Sequence, residues 1–150
     1  LGFLQEHFGR AGAHFFAIAR GQDERAVQPD RPRKSSGSEM TYAQDLVGAT
    51  RVEAAVLTLA DEVWAWCAKH AMFGRTVTVK LRYADFHALA RSRSLRDAVA
   101  AHDLLSRLSL ELVRSLYPLE RGVRLLGVTV SGFEAPVQAD TAQAAFDFAG

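Results

Sequence analysis

From Thr76 to Tyr83 the chain alternates polar and apolar residues without a break: Thr76-Val77-Thr78-Val79-Lys80-Leu81-Arg82-Tyr83. Side chains of a strand change face at every residue, so Val77, Val79, Leu81 and Tyr83 share one side and Thr76, Thr78, Lys80 and Arg82 the other. Such a strand belongs in a sheet with one covered face and one free face. A short turn near Ala84-Asp85 leads into a second extended run, about Phe86 to Leu95, and the two predict an antiparallel hairpin.

Thr50 with Glu53 three residues later has the form of a capping box, and Val52, Val56, Leu59, Val63 and Cys67 recur at helical spacing to about His70. Gly74 closes that helix. A second helix is expected from about Val99 to Leu116, with Leu105, Leu108, Leu112 and Leu116 on one stripe and Pro118 as its stop. Val123 to Gly132 is β-branched and apolar on both faces, as a strand in the middle of a sheet would be. With a first strand near Lys34 to Thr41, the order is β-α-β-β-α-β. The expected fold is α+β, a four-stranded antiparallel sheet with both helices on one face.

The ends of the chain have a different character. Residues 1–25 place Phe3, Leu4, Phe8, Phe15, Phe16 and Ile18 around Gly9 and Gly12, which reads as two short helical segments broken at a glycine turn. Residues 26–35 form a basic linker, 36–132 the folded domain, and 133–150 an acidic tail. The sequence opens at Leu1 on what reads as mid-helix, so a fragment of a longer protein is expected.

A net charge of +1 conceals an uneven distribution. From Arg75 to Arg96 the cations Arg75, Lys80, Arg82, Arg91, Arg93 and Arg96 are opposed only by Asp85. An ordinary solvated face mixes both signs to limit repulsion, so this run points to an anionic partner. Thr76, Thr78, Lys80 and Arg82 would stand about 7 Å apart in a row, close to the spacing of phosphates along one strand. Arg91, Ser92, Arg93 and Ser94 add donors, although strict alternation sends arginines and serines to opposite faces unless a bulge or an edge intervenes. Arg33-Lys34-Ser35-Ser36-Gly37-Ser38-Glu39 offers amides, hydroxyls and a glycine that permits close approach to a backbone; a flexible linker entering a strand accounts for the same residues.

No catalytic constellation emerges. His7, His14, His70, His87 and His102 lack a metal-binding spacing or a nucleophile partner, and Asp61 and Glu62, adjacent on a helix, point about 100° apart. Cys67 alone allows neither an internal disulfide nor a zinc framework. Trp64 and Trp66 are expected to pack on the sheet. No apolar run is long enough to span a bilayer, and a soluble, cytoplasmic monomer is expected.

Several separated segments now stand in one order: Ile18-Ala19-Arg20-Gly21, Val27-Gln28-Pro29, Arg33-Lys34-Ser35-Ser36-Gly37-Ser38-Glu39, Val77 through Phe86, and Arg91-Ser92-Arg93. Together they resemble the carboxy-terminal part of the bacterial DNA polymerase IV group of Y-family translesion polymerases. The resemblance implies that 1–25 ends the thumb, 26–35 is the tether, and 36–132 is the little finger, which grips primer-template DNA. It implies DNA contacts from Arg33, Lys34, Ser36, Gly37, Ser38, Thr76, Thr78, Lys80, Arg82, Arg91, Ser92 and Arg93. Catalytic carboxylates and their magnesium would lie in the palm and fingers, so this fragment alone is expected to be inactive and to hold no cofactor. Gln143, Phe146 and Phe148 are similar to the family's sliding-clamp peptide, with Ala144 in place of the usual leucine; a frayed tail is the other reading.

Sequence-independent DNA binding, with log K falling against log salt at a slope of about −4 to −5, is therefore expected. The alternatives are a single-strand RNA module of the same strand order, which needs exposed aromatics that Tyr83 does not supply, and a protein-interaction domain with a clamp-seeking tail.

Overall fold

Val77, Val79 and Leu81 are completely buried in the computed structural model, and the polar residues between them are half-exposed, as the alternation requires. The structure describes residues 1–27 and 32–133. The chain divides into two compact units, Leu1–Arg31 and Pro32–Gly150.

In the first unit, α1 (Gly2–Phe8) and α2 (Ala11–Ile18) flank Gly9, whose φ of 54° suits glycine. Gly12 lies against α1, where a Cβ would come 2.3 Å from the Leu4 carbonyl oxygen. Phe8 and Phe15 meet edge to face at 5.3 Å.

The second unit runs β1 (Ser35–Leu46), α3 (Ala49–His70), β2 (Gly74–Tyr83), β3 (Ala88–Ser94), α4 (His102–Arg114) and β4 (Val123–Phe133). All pairings are antiparallel, and the sheet order is β1-β4-β2-β3. The last strand therefore sits between the first two, as the apolar character of Val123 to Gly132 predicted. Helices α3 and α4 cover one face. Their stripes, Val52, Val56, Leu59, Val63 and Cys67 on α3 and Leu105, Leu108, Leu112 and Val113 on α4, close over Val77, Val79, Leu81, Leu126, Val128 and Val130. Burial pushes the Cys67 thiol up, as expected for an inert core residue.

Several boundaries differ from the sequence expectation. The capping box at Thr50 does not form: Gly48 takes the N-cap position, and Glu53 turns instead to Arg114 of α4, at 2.6 Å, and to Tyr117. Those partners, Arg114 first, hold the Glu53 carboxyl below its ordinary range. α4 starts three residues late because the Val99 amide bonds the Gly74 carbonyl and its side chain enters the core. β1 runs past Thr41 through a register shift to Leu46, where Asp45 pairs with Arg124 at 2.5 Å.

Ser109 is fully buried on α4, and its hydroxyl has no hydrogen-bond partner among the described residues. Ser109→Ala should therefore raise stability by about 1 kcal/mol, since it removes an uncompensated polar group and improves helix propensity. Urea denaturation checks this; a lower midpoint would contradict it.

Candidate nucleic-acid interface

Strand register sorts the polar residues into rows across the helix-free face. One row is Ser94, Thr76, Ser131 and Ser35, and the next is Ser92, Thr78, Thr129 and Gly37. Lys80, Gly127 and Glu39 form the third with Ala90, and Arg82, Leu125 and Thr41 the fourth with Ala88. Hydroxyls thus cover the first two rows and cations mark the next two. Thr76 meets Ser94, and Thr78 meets Ser92, at 2.8 Å between oxygens.

Small side chains give this face its shape. Gly37 has no room for a Cβ, which would stand 2.6 Å from Thr129 Oγ1, and Gly127 opens a gap between Lys80 and Glu39. The result is a depression of about 280 Å³ bounded by Ser35, Gly37, Ser38, Glu39, Lys80, Gly127 and Thr129. Lys80 Nζ reaches Glu39 Oε2 across it at 3.2 Å. A phosphate oxygen entering there would meet hydroxyl donors and an ammonium that it must share with a carboxylate.

Of the residues expected to contact DNA, Gly37, Thr76, Thr78, Lys80, Arg82 and Ser92 come together on this face. The others do not. Arg91 and Arg93 oppose Val79 and Val77, so they lie on the helix side of the edge strand β3. Arg93 there pairs with Glu111 of α4 at 2.5 Å, and Arg91 donates to the Ala90 carbonyl. β3 pairs with β2 in unbroken register, so no bulge rescues the arginines, and alternation gives the open face to Ser92 and Ser94. Ser36 and Ser38 likewise oppose Val130 and Val128; Ser36 is buried and Ser38 donates to Glu62 of α3. Arg33 lies over the Trp66 ring at 4.7 Å, and Lys34 stands exposed ahead of β1. Gln143, Phe146 and Phe148 lie outside the described residues.

Ser35 was anticipated only as part of the hydroxyl-bearing segment that enters β1, and Thr129 and Ser131 were not anticipated. The signal of these last two was present: Val123 to Gly132 alternates, with Leu126, Val128 and Val130 inward and Leu125, Gly127, Thr129 and Ser131 outward, but the high apolar content hides the alternation. The charge count also changes. Glu39 and Glu111, remote in sequence, reach Lys80 and Arg93, while Asp85 pairs with Arg121 and with none of the six clustered cations.

Elsewhere, His102 Nε2 of α4 donates to Asp61 Oδ1 at 2.7 Å, which raises the His102 pKa, while the neighbouring Glu62 turns to β1. Trp64 packs against Phe73 and His102, and Trp66 against His70 and Phe133. A groove of about 580 Å³ beside Val47, Tyr117, Pro118 and Leu119 is mainly apolar. Among the described residues no three His, Cys, Asp or Glu side chains converge as metal ligands, so these residues do not fit a magnesium centre. No helix among them is long and apolar enough to cross a membrane.

Comparison with known proteins places the chain in a family. The family model described as the impB/mucB/samB family C-terminal domain matches residues 33–146. DNA polymerase IV 3 of Mesorhizobium japonicum is 42% identical over 147 residues, 98% of this chain and 40% of that protein. DNA polymerase IV 2 of Agrobacterium fabrum is 43% identical over 140 residues, 93% of this chain and 39% of that one. The chain thus spans about two fifths of the length of these curated relatives. A solved Y-family DNA polymerase chimera shares the fold with a TM-score of 0.67 at 18% identity, covering 88% of this chain and 38% of its own. On the match to residues 33–146, the chain belongs to the impB/mucB/samB family, and the four-stranded sheet with α3 and α4 is its C-terminal domain.

Proposed function

We propose that the open face binds the sugar-phosphate backbone of duplex DNA without reading its sequence, as the little finger of a lesion-bypass polymerase acting in the bacterial cytoplasm. The observation that carries this is the pair of hydroxyl rows ending in Lys80 and Arg82 around a glycine-floored depression. Hydroxyls and cations suit phosphate oxygens, and donors of this kind fix position and not sequence. Between Thr76–Arg82 and Leu125–Ser131 the face carries no aromatic side chain, and Tyr83 is only 2% exposed, which disfavours base stacking on the sheet itself. In this reading, 1–25 closes a thumb, 26–35 tethers it, and the chain is a monomer. Polymerisation and its magnesium would belong to the part of such a polymerase outside the matched two fifths. Gln143, Phe146 and Phe148 remain the proposed clamp-binding peptide.

With Arg91 and Arg93 turned away, Lys80 and Arg82 neutralise about two phosphates, so log K should fall with log salt at a slope of about −2. Lys80→Ala and Arg82→Ala should each flatten that slope by about 1. Glu39→Gln, which frees Lys80 from its carboxylate, should tighten binding. Fluorescence anisotropy of a labelled duplex titrated with salt measures all three, and a flat response in the unaltered chain would sink the reading.

A further inference from the structure

The tip of the β2–β3 hairpin holds a residue that the backbone-binding reading leaves unused. Phe86 is 77% exposed, and its φ of 68° lies in the left-handed region, where glycine sits without strain and a bulky side chain does not. The turn around it is held firmly. The Phe86 amide donates to the Tyr83 carbonyl, the Tyr83 amide to the His87 carbonyl, and the His87 amide to Asp85 Oδ1, while Arg121 grips the other carboxylate oxygen of Asp85. An aromatic ring kept in solvent on a pinned, strained turn is an unusual use of a position that glycine would fill more easily.

Its surroundings indicate what it is for. The Arg82 guanidinium stands 5.6 Å from the Phe86 ring centroid, and Arg82 belongs to the last row of the open face. The ring therefore continues the line from Thr76 and Thr78 through Lys80 and Arg82. Three steps of about 7 Å separate the first row from the fourth, the reach of about three phosphates. A strand lying along β2 would next bring a nucleotide to the ring. An aromatic face beside a guanidinium is a platform for a base, and any base has a π-face to offer. A paired base in a duplex is held by its partner and its stacked neighbours; an unpaired base in the single strand beyond it is free to move onto the ring.

We infer that Phe86 stacks on an unpaired base where duplex gives way to single strand, so that this domain favours a junction over continuous duplex. This rests on the open face as the DNA-backbone surface, and the test separates the two. Two DNAs are compared with the 150-residue chain by anisotropy at one salt concentration: a blunt duplex, and the same duplex with a six-nucleotide single-stranded overhang carrying 2-aminopurine at its first position.

The unaltered chain should bind the overhang DNA about tenfold more tightly, the order of effect expected for one base–aromatic stack, and quench the 2-aminopurine. Phe86→Ala and Phe86→Gly should remove both the preference and the quenching while leaving blunt-duplex affinity unchanged; Phe86→Trp should keep both. The glycine variant relieves the positive φ, so it tests stacking in a fold at least as stable. Equal binding of both DNAs by the unaltered chain, or an equal loss on both in Phe86→Gly, overturns the inference and leaves the open face standing. Failure to bind either DNA overturns the open face and this inference with it.

Discussion

Leu126→Ala should lower the unfolding free energy by about 3–5 kcal/mol, the cost of emptying a fully buried site in a core that relaxes only in part. Leu126 is completely buried on β4, opposite Leu81 on one side and Met40 on the other. Because β4 lies between β1 and β2, it touches both neighbours and the helix layer, and no surface strand can shift inward to fill the space. A domain of this size is stable by only about 5–15 kcal/mol, so the loss takes a large share of the total. The built-in control is Met40, which shares the row but lies on the edge strand β1 and is 47% exposed. Met40→Ala should cost less than about 1 kcal/mol. Urea unfolding of both variants measures the difference; equal losses would mean that the central position of β4 is wrong.

On the other face, the largest effect on binding is expected from Thr129→Glu. Thr129 stands mid-sheet between Thr78 and Gly37, at the rim of the depression over which Lys80 reaches. A carboxylate there would face incoming phosphates at about 5 Å, where each like-charge pair costs about 1–3 kcal/mol for an effective dielectric between water and protein surface. Duplex affinity should fall by about a hundredfold or more, and further at low salt, where screening is weakest. Stability should change little, because the residue is half-exposed and its Cβ already points to solvent. Thr129→Val keeps the shape and adds no charge, so it should lose only the hydroxyl's share. If the glutamate variant bound duplex as well as the unaltered chain, the DNA would have to lie on another surface, such as the β3 edge where Arg91 and Arg93 stand.

That second possibility shows where sequence reasoning misleads. Arg91, Ser92, Arg93 and Ser94 look like one basic patch when read along the chain. Their faces depend on which β2 residue each one opposes, and pairing Val77 with Arg93 sends the arginines to the helices and the serines to the open face. Ser36 and Ser38 moved for the same reason, through Val130 and Val128. Glu39 could not be assigned to Lys80 from a window of neighbouring residues, since the two are brought together by β4, which comes last. The hydroxyls of Thr129 and Ser131 were readable in principle but were masked by the apolar residues between them.

The elements themselves were largely decided locally. Strict alternation made β2, a 3–4 spacing of apolar residues made α3 and α4, and the β-branched run made β4 a buried central strand, because each signal lies within consecutive residues. Thr76, Thr78, Lys80 and Arg82 were fixed together on one face by the same periodicity. What only the tertiary structure decided is which residues join them. Register and strand order are set by pairing between distant segments, and a shift of one residue exchanges the two faces of a strand. That step turned a patch of six cations into a plate of hydroxyls with Lys80 and Arg82 at one end.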